Sequence, residues 1–164
     1  MTDMATASVR AGPRHVGFHP RLPFAWVINE LDSTIAGYRC DPSGALEPIQ
    51  ILPSIPSTFT GNNTWSGMVV SASRRFVFGS NRGHDSIRAF RVDESTGMLA
   101  PVAWEPTGGA MPRFIGAGPV DHLLYAANQN GDTIVEFDMD AATGRLRRTG
   151  HGVTAGTPVC VVWR

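Results

Sequence analysis

Three hexapeptides carry the residues best suited to chemistry: NELDST (29–34), NRGHDS (81–86) and NQNGDT (128–133). Each opens on an asparagine (Asn29, Asn81, Asn128), and the next residue is in turn an acid, a base and an amide: Glu30, Arg82 and Gln129. A common frame that presents one position and fills it with three chemistries marks that position for ligand contact. The pairs that follow (Asp32-Ser33, Asp85-Ser86, Asp132-Thr133) close turns by bonding to nearby backbone groups. Two more candidates, Arg14 and Arg113, stand in Pro-Arg dipeptides. Brought together, these five side chains form a cationic pocket with one carboxylate inside it. They serve equally as an ion-pair ladder pinning neighbouring units, and residue types alone leave both readings open.

The frame recurs because the chain is a repeat. Equivalent asparagines are spaced 52 residues apart (Asn29 to Asn81) and then 47 (Asn81 to Asn128), and each unit reads as four short strands. The third-to-fourth connections, DPSG (41–44), DESTG (93–97) and DAATG (140–144), run from Asp to a Gly that supplies positive φ. Four antiparallel strands per unit of this length predict an all-β fold, a β-propeller of about three blades at 13–57, 64–109 and 111–156, followed by a closing strand at 158–164. Strand direction alternates within a blade, so the second-to-third corner and the entry to the first strand emerge on one face. Arg14 and Arg113 therefore share a face with Glu30, Arg82 and Gln129.

Composition narrows the function classes. The 164 residues suffice for one domain with a real core. Fourteen basic residues balance 14 acidic ones, which excludes the uniform positive surface needed to track nucleic acid. No apolar run is long enough to cross a membrane, and the first ten residues lack the apolar middle of a secretory signal, so the expectation is a cytoplasmic protein. Cys40 and Cys160 read as two buried free thiols. Trp26, Trp65, Trp104 and Trp163 read as fillers between blades. His19, His122 and His151 show no metal-ligand spacing, and neither a metal nor an organic cofactor is expected.

The stretches GPRHVGFHP, FAWVINELDST, FTGNNT, SNRGHDSI, FRVDESTGML, PTGGAMPR, AANQNGDTIVEF and TPVCVVW, in that order, resemble the seven-bladed propeller lactonases, the family of bacterial 6-phosphogluconolactonase and the fungal carboxymuconate-lactonizing enzyme. The resemblance covers the C-terminal half of that fold. It implies a lactone substrate opened by water, in carbohydrate metabolism and the pentose phosphate pathway. Its catalytic positions fall on Arg14, Glu30 and Arg82, with Glu30 as base and the arginines stabilising the oxyanion or gripping a phosphate or carboxylate. Asn81, His84, Arg113 and Gln129, from the repeat frame, are the expected substrate contacts. His84 is also an alternative proton carrier, whereas strand alternation turns His15 away from the side Arg14 faces. SGMVVSASRR (66–75) departs from the family's AEIHVSPDGR, placing Gly67 where an acid is usual. Two other readings remain: a lactonizing enzyme, and a propeller remnant that binds without turnover. Three blades leave an open arc, so closure through self-association or a complementing N-terminal half is expected.

Overall fold

The computed structural model describes residues 10–163. Among them there is no helix: twelve strands form three separate four-stranded antiparallel meanders. Blade 1 holds β1 (Pro13–Phe18), β2 (Phe24–Asn29), β3 (Thr34–Cys40) and β4 (Leu46–Pro53). Blade 2 holds β5 (Thr64–Val70), β6 (Phe76–Arg82), β7 (Ser86–Val92) and β8 (Leu99–Pro106). Blade 3 holds β9 (Pro112–Ala117), β10 (Leu123–Asn128), β11 (Thr133–Met139) and β12 (Leu146–Thr154). The innermost strands β1, β5 and β9 contact one another in sequence order.

Alternation along each strand splits its apolar residues between two seams. In blade 2, Val77 pairs with Phe90, and both face blade 1 against Trp26, Ile28 and Ile35. Their neighbours Phe78 and Ala89 pair and face blade 3 against Ile115, Leu124 and Phe137. Covered on both sides, β6 is buried along its whole length. Each large side chain sealed in a seam contributes about 1.5–3 kcal/mol.

The Asp-to-Gly turns lock the blades in sequence. Their glycines sit at φ 87° (Gly44), 74° (Gly97) and 74° (Gly144). Gly97 presses on Phe24 of blade 1, and Gly144 on Phe76 of blade 2; an added Cβ would come within 2.3 Å of either ring. Trp26 Nε1 completes the first lock by donating to Gly97 O at 3.0 Å. A Cβ added at Gly44 would meet nothing within 4 Å.

Several expectations need correction. Residues 158–163 carry no ladder, because strand propensity without a partner edge forms no sheet; residue 164 lies outside the described residues. Trp163 is instead held by its Nε1 donating to Ala117 O (3.0 Å) and by the Tyr125 ring, 4.7 Å away. Cys160 goes with this segment and is exposed, while Cys40 is partly buried, so the reading of two buried thiols does not hold. Trp26 and Trp65 do fill a seam. Trp104 stands at the margin of the boundary between blades 1 and 2: it stacks on the Arg88 guanidinium, 3.6 Å from the ring centroid, and its Nε1 donates to Ser54 O just past β4 (2.7 Å).

The two end faces differ. Blade 1 exposes Val16 and Phe18. On the outer side of blade 3, Tyr125 and Glu136 stand where blades 1 and 2 place Trp26 with Gly37 and Phe78 with Ala89. There Tyr125 donates to Glu136 Oε2 (2.6 Å) and Thr149 Oγ1 to Glu136 Oε1 (2.8 Å).

The turn locks give a direct comparison. Gly97→Ala combines positive-φ strain with a clash and should destabilise by about 2–4 kcal/mol, whereas Gly44→Ala meets only the strain, about 1 kcal/mol. Chemical denaturation of both variants checks this; equal losses would refute the lock.

Candidate active site

Each innermost strand is bulged where it enters its blade. In β1, Pro13 pairs with Asn29 and His15 with Ile28, leaving Arg14 as the extra residue. In β9, Pro112 pairs with Asn128 and Phe114 with Ala127, leaving Arg113. In β5, Trp65 pairs with Asn81 and Met68 with Gly79, so Ser66 and Gly67 together oppose Ser80. A bulge turns its extra side chain out of the strand's alternation, and here it re-aims Arg14 and Arg113.

The corner positions are also held at one height. The Glu30 N–H donates to Gly12 O (2.7 Å), the Gln129 N–H to Met111 O (2.9 Å), and Arg82 pairs with Thr64. The Glu30 carboxylate then meets two guanidinium groups. Oε1 accepts from Arg82 Nη2 of blade 2, and Oε2 lies 3.2 Å from Arg14 Nε of its own blade. The Arg82 side chain is 9% exposed, against 27% for Arg14 and 29% for Glu30, so the ion triad sits in a partly dry mouth.

Ser66, absent from the expected site, ties the cluster to blade 3. Its carbonyl accepts from Arg14 Nη1 (2.5 Å), and its hydroxyl donates to Arg113 O (2.6 Å). It is fully buried. Its one sequence signal is position: it fills, in unit two, the place of Arg14 and Arg113. Gly67 beside it has no room for a larger residue, since a Cβ would lie 2.7 Å from Ile115 N.

Charge in the cluster is unbalanced. Among the described residues Arg113 makes no ion pair. Burial pulls the Arg14 pKa below its ordinary value; Glu30 opposes that, and Arg82 and Arg113 add to it by repulsion. Arg82 Nε is buried with no hydrogen-bond partner. Three cations around one anion, with a donor to spare, suit an anionic ligand.

The remaining candidates separate. Gln129 is partly buried at the expected height. Asn81 is fully buried, and its amide is spent on Ser54 O (3.1 Å), Ser86 Oγ (3.3 Å) and Asn63 Nδ2 (3.1 Å); this corrects its place among substrate contacts to that of a scaffold residue. His84 is partly buried, with its ring edge on Phe59 at 5.0 Å. Burial lowers its pKa, and Asp85 opposes the shift. For His15, burial first and Arg14 second lower the pKa.

The corner alignment shifts by one residue in unit one. Positive φ falls on Ser33 (56°), Asp85 (50°) and Asp132 (50°), so Ser33, not Asp32, is the counterpart of the two aspartates. Each reaches the linker beyond its own blade: Ser33 Oγ donates to Asn63 O (3.1 Å), Asp85 Oδ1 accepts from Met111 N (2.9 Å), and Asp132 Oδ1 accepts from Thr157 N (2.8 Å).

Two cavities of about 520 and 370 Å³ lie on the outer face of blade 3, lined by Ile134, His151, Gly152 and Val153 among others, and neither is lined by Arg14, Arg82 or Arg113. The mouth itself faces an open arc. Among the described residues no three His, Cys, Asp or Glu side chains gather to hold a metal ion.

A sequence profile of the lactonase family, seven-bladed β-propellers, matches residues 2–163. The chain belongs to this lactonase family. A relative from Bacillus subtilis named 6-phosphogluconolactonase is 39% identical over 152 residues, covering 92% of this chain and 44% of its own. The periplasmic gluconolactonase PpgL of Pseudomonas aeruginosa superposes with a TM-score of 0.86 at 30% identity, over 91% of this chain and 41% of that one. A protein from Lactobacillus plantarum superposes with a TM-score of 0.89 at 30% identity, over 95% of this chain and 46% of that one. This lactonase-family chain thus spans less than half the length of these relatives.

Proposed function

We propose that this chain forms the ion-triad part of a lactone hydrolase acting on an anionic sugar lactone of the 6-phosphogluconolactone kind. One observation carries the reading: a carboxylate held between guanidinium groups of two blades, with Arg113 unpaired nearby. Each Glu30 oxygen gives one lone pair to an arginine and keeps another for water.

Glu30 takes a proton from that water as the hydroxide oxygen bonds to the lactone carbonyl carbon. Negative charge grows on the carbonyl oxygen, where Arg14 or the buried Arg82 meets it. The tetrahedral species collapses by breaking the ring C–O bond, and the departing oxygen recovers the proton from Glu30. Arg113 and Gln129 hold the far end of the substrate, with Arg113 on its anionic group. The name of the Bacillus subtilis relative supports this choice of substrate class.

Hydrolysis of 6-phosphogluconolactone by the purified chain tests the reading. Glu30→Gln should lower kcat by about 10²–10⁴-fold, and Arg113→Ala should raise KM while sparing kcat. No turnover above the spontaneous rate would leave the triad as an inter-blade staple without catalysis.

We further propose that the end faces close against more propeller blades, from a second copy or from a complementing N-terminal half. Support comes from the exposed Val16 and Phe18 at one end and Val153 and Trp163 at the other. The chain alone should therefore self-associate in light scattering. A monodisperse monomer with cooperative unfolding would contradict this.

A further inference from the structure

The three corners share a frame whose regularity bears on where one proton goes. In each, the asparagine amide donates to the hydroxyl five residues on: Asn29 to Thr34 Oγ1 (2.9 Å), Asn81 to Ser86 Oγ (3.3 Å) and Asn128 to Thr133 Oγ1 (3.1 Å). An amide NH₂ can only donate, so the hydroxyl oxygen accepts there and its own proton points elsewhere. In unit one that proton goes to the side chain two residues back, from Thr34 to Asp32 Oδ1 at 2.7 Å. The same position in unit two is His84, whose Nδ1 lies 2.6 Å from Ser86 Oγ. In unit three it is Gly131, which offers no acceptor.

Ser86 Oγ has no other neighbour among the described residues that could take its proton, which points to Nδ1 of His84 as the acceptor, carrying no proton of its own. A neutral imidazole has one ring proton, which must then sit on Nε2. Burial favours the neutral ring, and Asp85 offsets this only in part. The ring is fixed by the Phe59 edge contact, and its backbone N–H by Asn63 Oδ1 at 3.1 Å. Nε2 makes no hydrogen bond among the described residues, and Arg82 lies two residues earlier on the same corner.

We propose that His84 is a neutral hydrogen-bond donor to a substrate oxygen, presenting a fixed Nε2–H held in that tautomer by Ser86 as a positioning residue. The proposal rests on the lactone reading and removes His84 as a proton carrier. With Nδ1 occupied and Nε2 already protonated, the ring has no free lone pair, and Glu30 is left as the base. A neutral donor adds a hydrogen bond to the substrate without adding to the repulsion already felt among the arginines.

Long-range ¹H–¹⁵N correlation spectra of the labelled chain near neutral pH test the assignment, with the His84 signal identified by its loss in His84→Gln. A protonated Nε2 and a bare Nδ1 are expected, retained in Ser86→Thr and replaced by a tautomer mixture in Ser86→Ala. A protonated Nδ1 in the unmodified chain would overturn the proposal. Titration with 6-phosphogluconate then separates the proposal from the reading beneath it. Both the Arg113 amide and His84 Nε2 should move. Movement of Arg113 alone overturns the donor role and leaves the lactone reading in place; if neither moves, the lactone reading fails and the donor role fails with it.

Discussion

Face-to-face burial between successive sheets is the constraint on which everything at the axis depends. A four-stranded meander has two faces, and blade 2 covers both of its own only because blades 1 and 3 pack against them. The Phe24–Gly97 and Phe76–Gly144 contacts then fix how far each blade can slide or rotate against the last. Only at that spacing does Arg82 of blade 2 reach Glu30 of blade 1. The seams are apolar and carry the stability; the ion triad is partly desolvated, and burying charge returns little net stability even when the pairing is good. Its value lies in holding a carboxylate and two guanidinium groups in a fixed arrangement.

The bulges convert this repetitive scaffold into an asymmetric site. Arginine is the extra residue in the first and third inner strands, and Ser66-Gly67 takes that place in the second. A third arginine there would add repulsion to a cluster already short of carboxylates. Ser66 instead uses its carbonyl on Arg14 and its hydroxyl on the backbone of Arg113, joining blades 1 and 3 through blade 2. Gly67 lets β5 pack directly on β9. The corner residues at positive φ do the same on the outer path, each bonding to the linker that leads onward. The site is thus assembled from backbone irregularities as much as from side-chain identity.

Much of this was legible in the sequence because repetition exposes the frame. Equivalent asparagines, Asp-to-Gly turns and Pro-Arg entries recur at matching places, and alternation of strand direction was enough to put Arg14, Glu30 and Arg82 on one face. The frame alone could not separate scaffold from site. Asn81 stood among the expected substrate contacts, yet its amide is consumed by Ser54, Asn63 and Ser86. Asp32 and Asp85 look equivalent by type, but the backbone aligns Ser33 with Asp85; Ser, Asn and Asp all close such turns, so residue type does not mark which one adopts positive φ. Ser66 stood out little as a serine, since its carbonyl and hydroxyl both bond to backbone or side chains that only a bulge brings near, and no residue pattern announces that bulge. Trp163 and Cys160 were misplaced for a different reason: the apolar residues of 158–163 read as strand, and a strand exists only where another edge pairs with it.

The central claim is that Glu30 and Arg82 form a functional unit across a blade boundary, and a double-mutant cycle measures that directly. Glu30→Gln, Arg82→Met and the double variant, followed by chemical denaturation, should give a coupling energy of about 1–3 kcal/mol. Additivity within about 0.5 kcal/mol would contradict the account, because two side chains that do not sense each other cannot hold a common site together.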